Sequence, residues 1–264
     1  GKLTFGRQNA LARDPAASAV YGDPYGSAKA SVEEGGYSNT NNFKQLIYYA
    51  GSANGTRINN GVVWKKAFSN GFVGGAAYSF GTVPDSFGTG SSKTGSLAYN
   101  GNGYTIAGFA TSANIKNLTH QTYSFGGNVQ INPMIRLNAG YFNYTAQQAA
   151  AFGDRKDTAW TLSTKLTPGG PFDYELGYQV MSASNAGLTG SGYVQNAYSD
   201  ASAITATATG DRTTVYGSVF YHLDSVTEFY LAFDHLSTTD GYKAAQANGA
   251  MSQNELGLGM RFKF

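Results

Sequence analysis

The chain ends on the stretch Glu255-Leu256-Gly257-Leu258-Gly259-Met260-Arg261-Phe262-Lys263-Phe264, in which large apolar residues alternate with small or charged ones. One parity carries leucine, methionine and phenylalanine, and the other carries glycine and the charged residues. Because successive side chains of a strand point to opposite faces, this pattern predicts a strand between an oily and an aqueous surface. About ten residues is also the length that a tilted strand needs to cross a bilayer.

The same alternation recurs along the rest of the chain and divides it into about twelve strands. Turn sequences such as Asn100-Gly101-Asn102-Gly103 separate neighbouring strands and are strong hairpin signals. The predicted strands cover residues 1–8, 57–68, 72–80, 95–99, 104–111, 123–131, 134–144, 158–166, 172–181, 214–221, 228–234 and 255–264. Short turns alternate with longer polar connections such as residues 236–252, as in outer-membrane barrels. The predicted fold is therefore all-β, a single transmembrane antiparallel up-and-down β-barrel domain over residues 1–264.

A soluble β-sandwich or barrel is the alternative interpretation of alternating strands. A soluble barrel of this size would need an inward face rich in Leu, Ile and Val. Here Phe, Tyr, Leu and Gly dominate the apolar parity. The opposite parity carries Arg136, Glu175, Asp234, Glu255, Arg261 and Lys263. The alternation therefore favours strands that face lipid on one side and water on the other.

The composition excludes several functional classes. Charged residues make up 13% of the chain, about half of the roughly 25% expected of a soluble domain. The net charge is only +2 and no cluster of Lys and Arg could bind phosphates, so we expect no nucleic-acid partner. The chain has no cysteine, which excludes disulfides and thiolate metal sites. No apolar run reaches the roughly 18 residues of a membrane-spanning helix.

The sequence gives little support for catalysis or for a bound cofactor. We expect His120 in a loop, and His222 and His235 near strand ends. Their spacing does not suggest a zinc site. A barrel phospholipase would need a Ser–His pair on the outer wall, for which His235 and Ser237 have a compatible parity. Serine is too common for this pair to outweigh the simpler prediction that the protein is not an enzyme and carries no cofactor or metal.

The longest segment without clean alternation covers residues 9–56. A stretch of this length inside a compact unit is usually functional or disordered. In a barrel it either crosses the external rim or folds into the lumen, and the pattern alone leaves both options open. In the lumen, its acidic residues would face Arg and Lys on the inner wall. Opposed acidic and basic walls produce a transverse field that selects solutes by charge.

Several motifs together resemble the general bacterial porins, in particular the trimeric sixteen-stranded porins of Neisseria- and Burkholderia-type bacteria. The first is Phe5-Gly6-Arg7-Gln8, which precedes the long segment. Arg57-Ile58-Asn59-Asn60-Gly61-Val62-Val63-Trp64 follows that segment, and Phe72-Val73-Gly74-Gly75-Ala76-Ala77-Tyr78-Ser79-Phe80-Gly81 comes next. Tyr221-His222-Leu223 with Phe229-Tyr230 resembles the family's penultimate hairpin, and residues 257–264 resemble its closing strand. Each motif is weak alone, but their order and spacing cover essentially the whole chain.

The resemblance implies a water-filled outer-membrane channel for passive diffusion of ions and small hydrophilic solutes. It places residues 9–56 in the lumen as the constriction loop, with Arg7 and Arg57 on the basic side. Arg136, on the polar parity of its strand, is a further candidate for that side. Candidates for the acidic side, chosen by charge only, are Asp14, Asp23, Glu33 and Glu34. A structural or adhesive barrel with a plugged lumen is the alternative function.

The resemblance also implies a homotrimer in outer-membrane lipid and lipopolysaccharide. Phe264 would be the terminal aromatic that the barrel-assembly machinery recognises. Relative to the family, the chain lacks the first four strands, so we expect that it either omits them or forms a smaller closed barrel. An open sheet of twelve strands is not expected, because its two edges would leave backbone groups unpaired in lipid.

Overall fold

The computed structural model describes residues 1–11, 57–81, 83–115, 117–148, 150–185, 208–242 and 250–264. The side chains of Arg57, Ile115 and Glu255 are outside this description. In the described residues the chain forms twelve strands: β1 Lys2–Asn9, β2 Arg57–Ala67, β3 Phe72–Ser79, β4 Ser92–Asn100, β5 Tyr104–Ile115, β6 Leu118–Asn132, β7 Ile135–Ala146, β8 Arg155–Leu166, β9 Phe172–Ser184, β10 Gly210–His222, β11 Thr227–Thr238 and β12 Ser252–Phe262. The predicted all-β fold and its twelve strands are confirmed.

The strands form one antiparallel sheet in which each strand pairs with its neighbour in the sequence. This up-and-down order runs from β1 to β12 without a crossover. Among the described residues no helix is long and apolar enough to span a membrane. Each strand from β2 to β11 pairs with a neighbour on both sides, so its backbone polar groups meet those of adjacent strands and not lipid.

The two edges of the sheet, β1 and β12, do not pair with each other in the described residues. The twelve described strands therefore do not close on themselves as the smaller barrel, one of the two expected arrangements, would. An unpaired edge in lipid costs several kcal/mol per backbone group. Both edges thus offer hydrogen-bonding groups to further strands, and the absence of four preceding strands stays a prediction.

The sheet has two chemically different faces. Its outer face carries large apolar side chains that remain exposed to solvent, including Leu97, Leu162, Leu176, Leu231 and Leu258. Its inner face is polar, and many of its side chains are buried, among them Ser124, Asn138, Thr161, Gln179 and Thr214. A soluble barrel would show the reverse distribution, so the outer face is the lipid-facing one.

Aromatic rings cluster on the outer face toward both ends of the strands. At one end, the ring centroids of Phe72 and Tyr99 lie 4.9 Å apart, and those of Phe172 and Tyr221 lie 5.1 Å apart. At the other end, Phe80 packs edge-on against Tyr78 at 5.0 Å. Rings at these depths match the aromatic girdles that lie at membrane–water interfaces.

The two ends of the sheet also differ in their connections. At the short-turn end, strands are joined by residues 68–71, 101–103, 133–134, 167–171 and 223–226. In the last of these turns, Asp224 accepts hydrogen bonds from the N–H groups of Val226 and Thr227, which lowers the pKa of its carboxyl group. Longer connections join the strands at the other end, the long-loop end, except for residues 116–117 between β5 and β6. Short turns face the periplasm in outer-membrane barrels.

Several strands extend further toward the long-loop end than the sequence predicted. β6 begins at Leu118 rather than at residue 123, and β8 begins at Arg155 rather than at residue 158. The prediction that His120 lies in a loop is therefore wrong, because His120 is buried within β6. The apolar parity that marked the strands in the sequence is absent at these strand ends, because the outer parity carries polar residues there, namely Thr119 and Gln121 in β6 and Lys156 and Thr158 in β8.

A charged residue introduced on the outer face should destabilise the protein more when it lies near the middle of the bilayer than when it lies near the surface. Leu162→Arg, in β8 at 52% exposure, should lower the free energy of unfolding by roughly 2–4 kcal/mol, because arginine is costly in hydrocarbon. Leu223→Arg, in a short turn at 56% exposure, should cost at most about 1 kcal/mol. Equal losses for the two variants, measured by denaturant unfolding in lipid vesicles, would contradict the assignment of the outer face.

Candidate functional site

The segment after β1 starts on the inner face of the sheet. Ala10 and Leu11 are buried in one cluster with Ile58 and Val63 of β2. A Cβ atom at Gly75 of β3 would lie 2.8 Å from Leu11 Cδ1. The same position is 3.0 Å from Ser96 Oγ, so Leu11 fills the space over Gly75 on the polar side of the sheet. The chain therefore turns inward as it leaves β1.

A local irregularity surrounds Arg7, one of the residues predicted for the basic side. The register between β1 and β2 shifts between Gly6 and Gln8. Opposite this point, Asn60 has a φ of +49°, a left-handed conformation that Asn tolerates better than most residues. Such irregularities redirect side chains and occur often beside functional sites. Arg7 is exposed at this position.

The three predicted basic residues do not lie together. Arg57 is the first residue of β2 and pairs with Asn9, so its backbone is close to Arg7 at the long-loop end. Arg136 is the second residue of β7 and lies at the short-turn end. The predicted acidic residues Asp14, Asp23, Glu33 and Glu34 fall within residues 12–56, outside the described residues, as does most of the predicted loop 9–56.

A buried polar network occupies the inner face at the long-loop end. Arg155 Nη2 lies 2.6 Å from Asp157 Oδ2, and both side chains are about 1% exposed. The Arg155 guanidinium lies over the Tyr144 ring, 5.7 Å from its centroid. Tyr144 Oη is 2.8 Å from His120 Nδ1, at hydrogen-bond distance. The pairing with Asp157 compensates the cost of burying the arginine charge.

A second buried arginine lies two strands away. Arg212 of β10 donates from Nη2 to Met181 Sδ at 3.1 Å, and its guanidinium lies 5.0 Å from the Tyr242 ring centroid. Arg212 and Tyr242 are both fully buried. The inner wall at the long-loop end is thus lined with buried arginine and tyrosine from β7 to β10.

A chain of charged contacts crosses four neighbouring strands at the short-turn end. His222 of β10 lies between two carboxylates, with Nε2 3.1 Å from Asp173 Oδ2 and Nδ1 3.5 Å from Glu228 Oε2. Glu228 in turn lies 2.8 Å from Arg261 Nη1. Glu228 and Arg261 are direct register partners of β11 and β12. These contacts fasten the terminal strand to the rest of the sheet.

Glycine on the inner face lets tyrosine lie flat on the wall. A Cβ at Gly177 of β9 would collide with the ring of Tyr216, its register partner on β10. Gly259 of β12 and Tyr230 of β11 repeat this arrangement. Large side chains at these glycines would push the rings off the wall, so the glycines keep the space inside the sheet clear.

The described residues bear on metal binding and on the Ser–His pair considered in the sequence. No group of three His, Asp or Glu side chains among them could hold a metal ion. His235 Nδ1 is 2.7 Å from Asn254 Oδ1, and the register partner of Ser237 is Ser252. His235 is therefore engaged with an asparagine of β12. The geometry is that of a wall with a polar inner surface.

The sequence was compared with models of known protein families, and one family matches. Residues 1–241 match the model of the Gram-negative porins. The chain belongs to that family. Porins are water-filled channels, and this porin lies in the outer membrane, where it lets solutes diffuse passively. No curated protein matches the sequence at a significant level.

Solved structures share the porin fold at low sequence identity. An anion-selective porin from Comamonas acidovorans superposes with a TM-score of 0.71 at 15% identity, covering 100% of this chain and 74% of the other. The trimer form of OmpT, an outer-membrane protein of Vibrio cholerae, gives 0.62 at 16% identity, with 99% and 76% covered. The outer-membrane channel DcaP of Acinetobacter baumannii gives 0.63 at 9% identity, with 100% and 72% covered.

Sequence reasoning missed most of this porin's inner-wall contacts. Arg155, Asp157 and Arg212 were not singled out, although Arg155 and Asp157 share a parity with Thr161 and Ser163. This shared parity indicates that the residues lie on the inner face. It does not identify which residue of a neighbouring strand each one contacts. The contacts of His120 and His222 join residues 24 and 49 positions apart, which a local pattern cannot relate.

The ion pair between β11 and β12 should stabilise the terminal strand of this porin. Arg261→Met should lower the free energy of unfolding by about 1–3 kcal/mol, because it removes the nearer of the two basic partners of the nearly buried Glu228 carboxylate and leaves His222 at 3.5 Å. Lys263→Met, a matched change at an exposed residue of the same parity, should have little effect. Denaturant unfolding in vesicles measures both.

A double-mutant cycle separates this contact from general effects on folding. Adding Glu228→Gln to Arg261→Met should recover part of the loss, since the buried charge is then also removed. Strictly additive losses would show that the two side chains do not interact in the folded porin.

Proposed function

We propose that this porin is a diffusion channel whose width is set by the segment between β1 and β2. The observation that carries the proposal is the position of Leu11, which packs over Gly75 on the inner face. A segment that enters the lumen at its first residues can narrow the channel, whereas one that crosses the external rim cannot. Solutes then move down their gradient and are filtered by size and charge.

The charge filter in this proposal lies at the long-loop end. Arg7 and Arg57 form its basic side, and the acidic side comes from Asp14, Asp23, Glu33 and Glu34. The adjacent backbone positions of Arg7 and Arg57 support the pairing. A transverse field between the two sides orders water and favours solutes whose charge and dipole fit it. Arg136 does not belong to this filter, because it lies at the other end of the sheet.

The assembly part of the proposal follows the family. The twelve strands form part of a sixteen-stranded barrel that assembles as a homotrimer, in line with the trimer form of OmpT. Outer-membrane lipid and lipopolysaccharide surround the outer face. Phe264, fully exposed beyond β12, is the mark that the barrel-assembly machinery recognises. The protein has no enzymatic activity, and neither a cofactor nor a nucleic acid takes part.

A structural or adhesive barrel with a plugged lumen is the second candidate. The burial of Arg155, Arg212 and Tyr242 on the inner wall favours it, since inner-wall residues in an open channel meet water. The two candidates differ in whether the purified protein conducts ions.

Displacing Leu11 should widen the channel. Gly75→Ile places a branched side chain where Leu11 Cδ1 now lies, so the start of the segment must move away from the wall. Single-channel conductance in planar bilayers should rise measurably above that of the wild type. The control is Gly95→Ile on the outer face of the adjacent strand, where a Cβ meets nothing within 4 Å, and it should leave conductance unchanged.

The outcomes separate the two candidate functions. If the wild-type protein carries no ion current and only the Gly75→Ile variant conducts, the plugged barrel would be favoured. Conductance that is identical in wild type, Gly75→Ile and Gly95→Ile would contradict a constriction built from this segment.

Neutralising the basic side should change ion selectivity. Arg7→Gln together with Arg57→Gln should lower the permeability ratio of chloride to potassium about twofold or more, because the positive side of the field is removed. Reversal potentials in a KCl gradient measure the ratio. Arg7→Lys with Arg57→Lys keeps both charges and should retain the wild-type ratio. A ratio unchanged by the glutamine substitutions would remove these residues from the filter.

A further inference from the structure

Two like charges lie side by side on the inner face at the short-turn end. Arg136 of β7 and Lys165 of β8 are direct register partners. They share the inner parity with the next pair, in which Asn138 Nδ2 donates to Ser163 Oγ at 3.0 Å. Directly opposed residues on one face have Cβ atoms about 5 Å apart, and like charges in that arrangement are destabilising. A pair kept at a cost to stability calls for a role in function.

The two cations do not pack in the same way. Lys165 Nζ lies 5.9 Å from the ring centroid of Phe220 on β10, so this side chain leans across β9 and away from Arg136. Arg136 Nε is buried and has no hydrogen-bond partner among the described residues. This unpaired N–H belongs to a side chain that is partly exposed as a whole, so a shift of the guanidinium can turn the donor toward an anion.

Acidic side chains compensate only one side of this pair. Glu175 of β9 is the other register partner of Lys165. Asp173 and Glu228 lie against His222 and Arg261 instead. On the β6 side, the register partner of Arg136 is Gln130, whose Nε2 donates to the carbonyl oxygens of the adjacent turn. Among the register partners that the structure describes, the local balance is therefore two cations to one carboxylate.

A second pair of like charges lies at the same end of the sheet. Lys2 of β1 and Lys65 of β2 are direct register partners. Lys65 is also paired in register with Gly75, whose missing side chain points to the inner face. Positive charge thus recurs on the inner wall near the short turns, well away from the long-loop end.

We propose that Arg136 and Lys165 form a binding site for small phosphate-bearing anions at the short-turn mouth of the channel. This inference rests on the proposed pore function and deepens it by adding a second, separate charge filter. A guanidinium and an ammonium on neighbouring strands can each contact different oxygens of one phosphate. Arg136 and Lys165 are each partly exposed, so a bound anion keeps part of its hydration and binds weakly enough to leave again, which conduction requires.

The experiment uses inorganic phosphate as the probe in planar bilayers. Phosphate should reduce the chloride current of the wild type, with stronger block when it is added on one side of the bilayer than on the other. Arg136→Gln with Lys165→Gln should abolish the block and lower the chloride-to-potassium permeability ratio about twofold or more. Arg136→Lys with Lys165→Arg keeps both charges and should keep the block.

Two controls locate the effect. Lys156→Gln removes the same charge from the same strand, but at the exposed outer parity near the long-loop end, and should leave phosphate block unchanged. Arg7→Gln with Arg57→Gln should also retain the block, because the proposed filters lie at opposite ends of the sheet. Loss of block in either control would overturn a separate site at the short-turn mouth.

The outcomes distinguish this inference from the pore function on which it rests. A wild type without ion current would refute the channel itself. A conducting wild type whose phosphate block and selectivity survive Arg136→Gln with Lys165→Gln would overturn the anion site and leave the channel intact.

Discussion

The lipid bilayer offers no hydrogen-bonding partner to a polypeptide backbone, and every other feature of this porin depends on that constraint. Each strand from β2 to β11 meets it by pairing with two neighbours in simple up-and-down order. Since the backbone is satisfied within the sheet, the side chains are free to divide between two solvents. Alternate residues then meet lipid on one face and water or polar partners on the other.

The charged side chains of the inner wall are mostly paired with partners that offset the cost of burying them. At the long-loop end, Arg155 is buried against Asp157 and the ring of Tyr144. At the short-turn end, the contacts from Asp173 to Arg261 pass through His222 and Glu228. Paired charges of this kind hold strands together and contribute little net field. Unbalanced charges, such as Arg136 beside Lys165, are the ones that can act on a passing solute.

Much of the fold could be predicted because the signal for a membrane strand is local. The apolar parity of residues 256–264 is visible without any knowledge of what lies beside it. Strand ends were harder to predict, since the outer parity of β6 and β8 turns polar at Thr119, Gln121 and Lys156, where these strands extend beyond the apolar band. The candidate site was predicted only in outline. Arg7 and Arg57 came from resemblance, and grouping Arg136 with them ignored which end of a strand it occupies.

The sequence by itself determined the secondary structure, the lipid-facing parity and the membrane setting of this protein, because strand alternation has a period of two residues and needs no distant partner. Only the tertiary structure decided which inner-face residues meet. The contact of Leu11 with Gly75, the approach of His222 to Asp173 and the pairing of Arg136 with Lys165 all depend on register between strands. Register is set by hydrogen bonding between strands and by turn geometry, and a shift of one residue would send every one of these side chains to the opposite face.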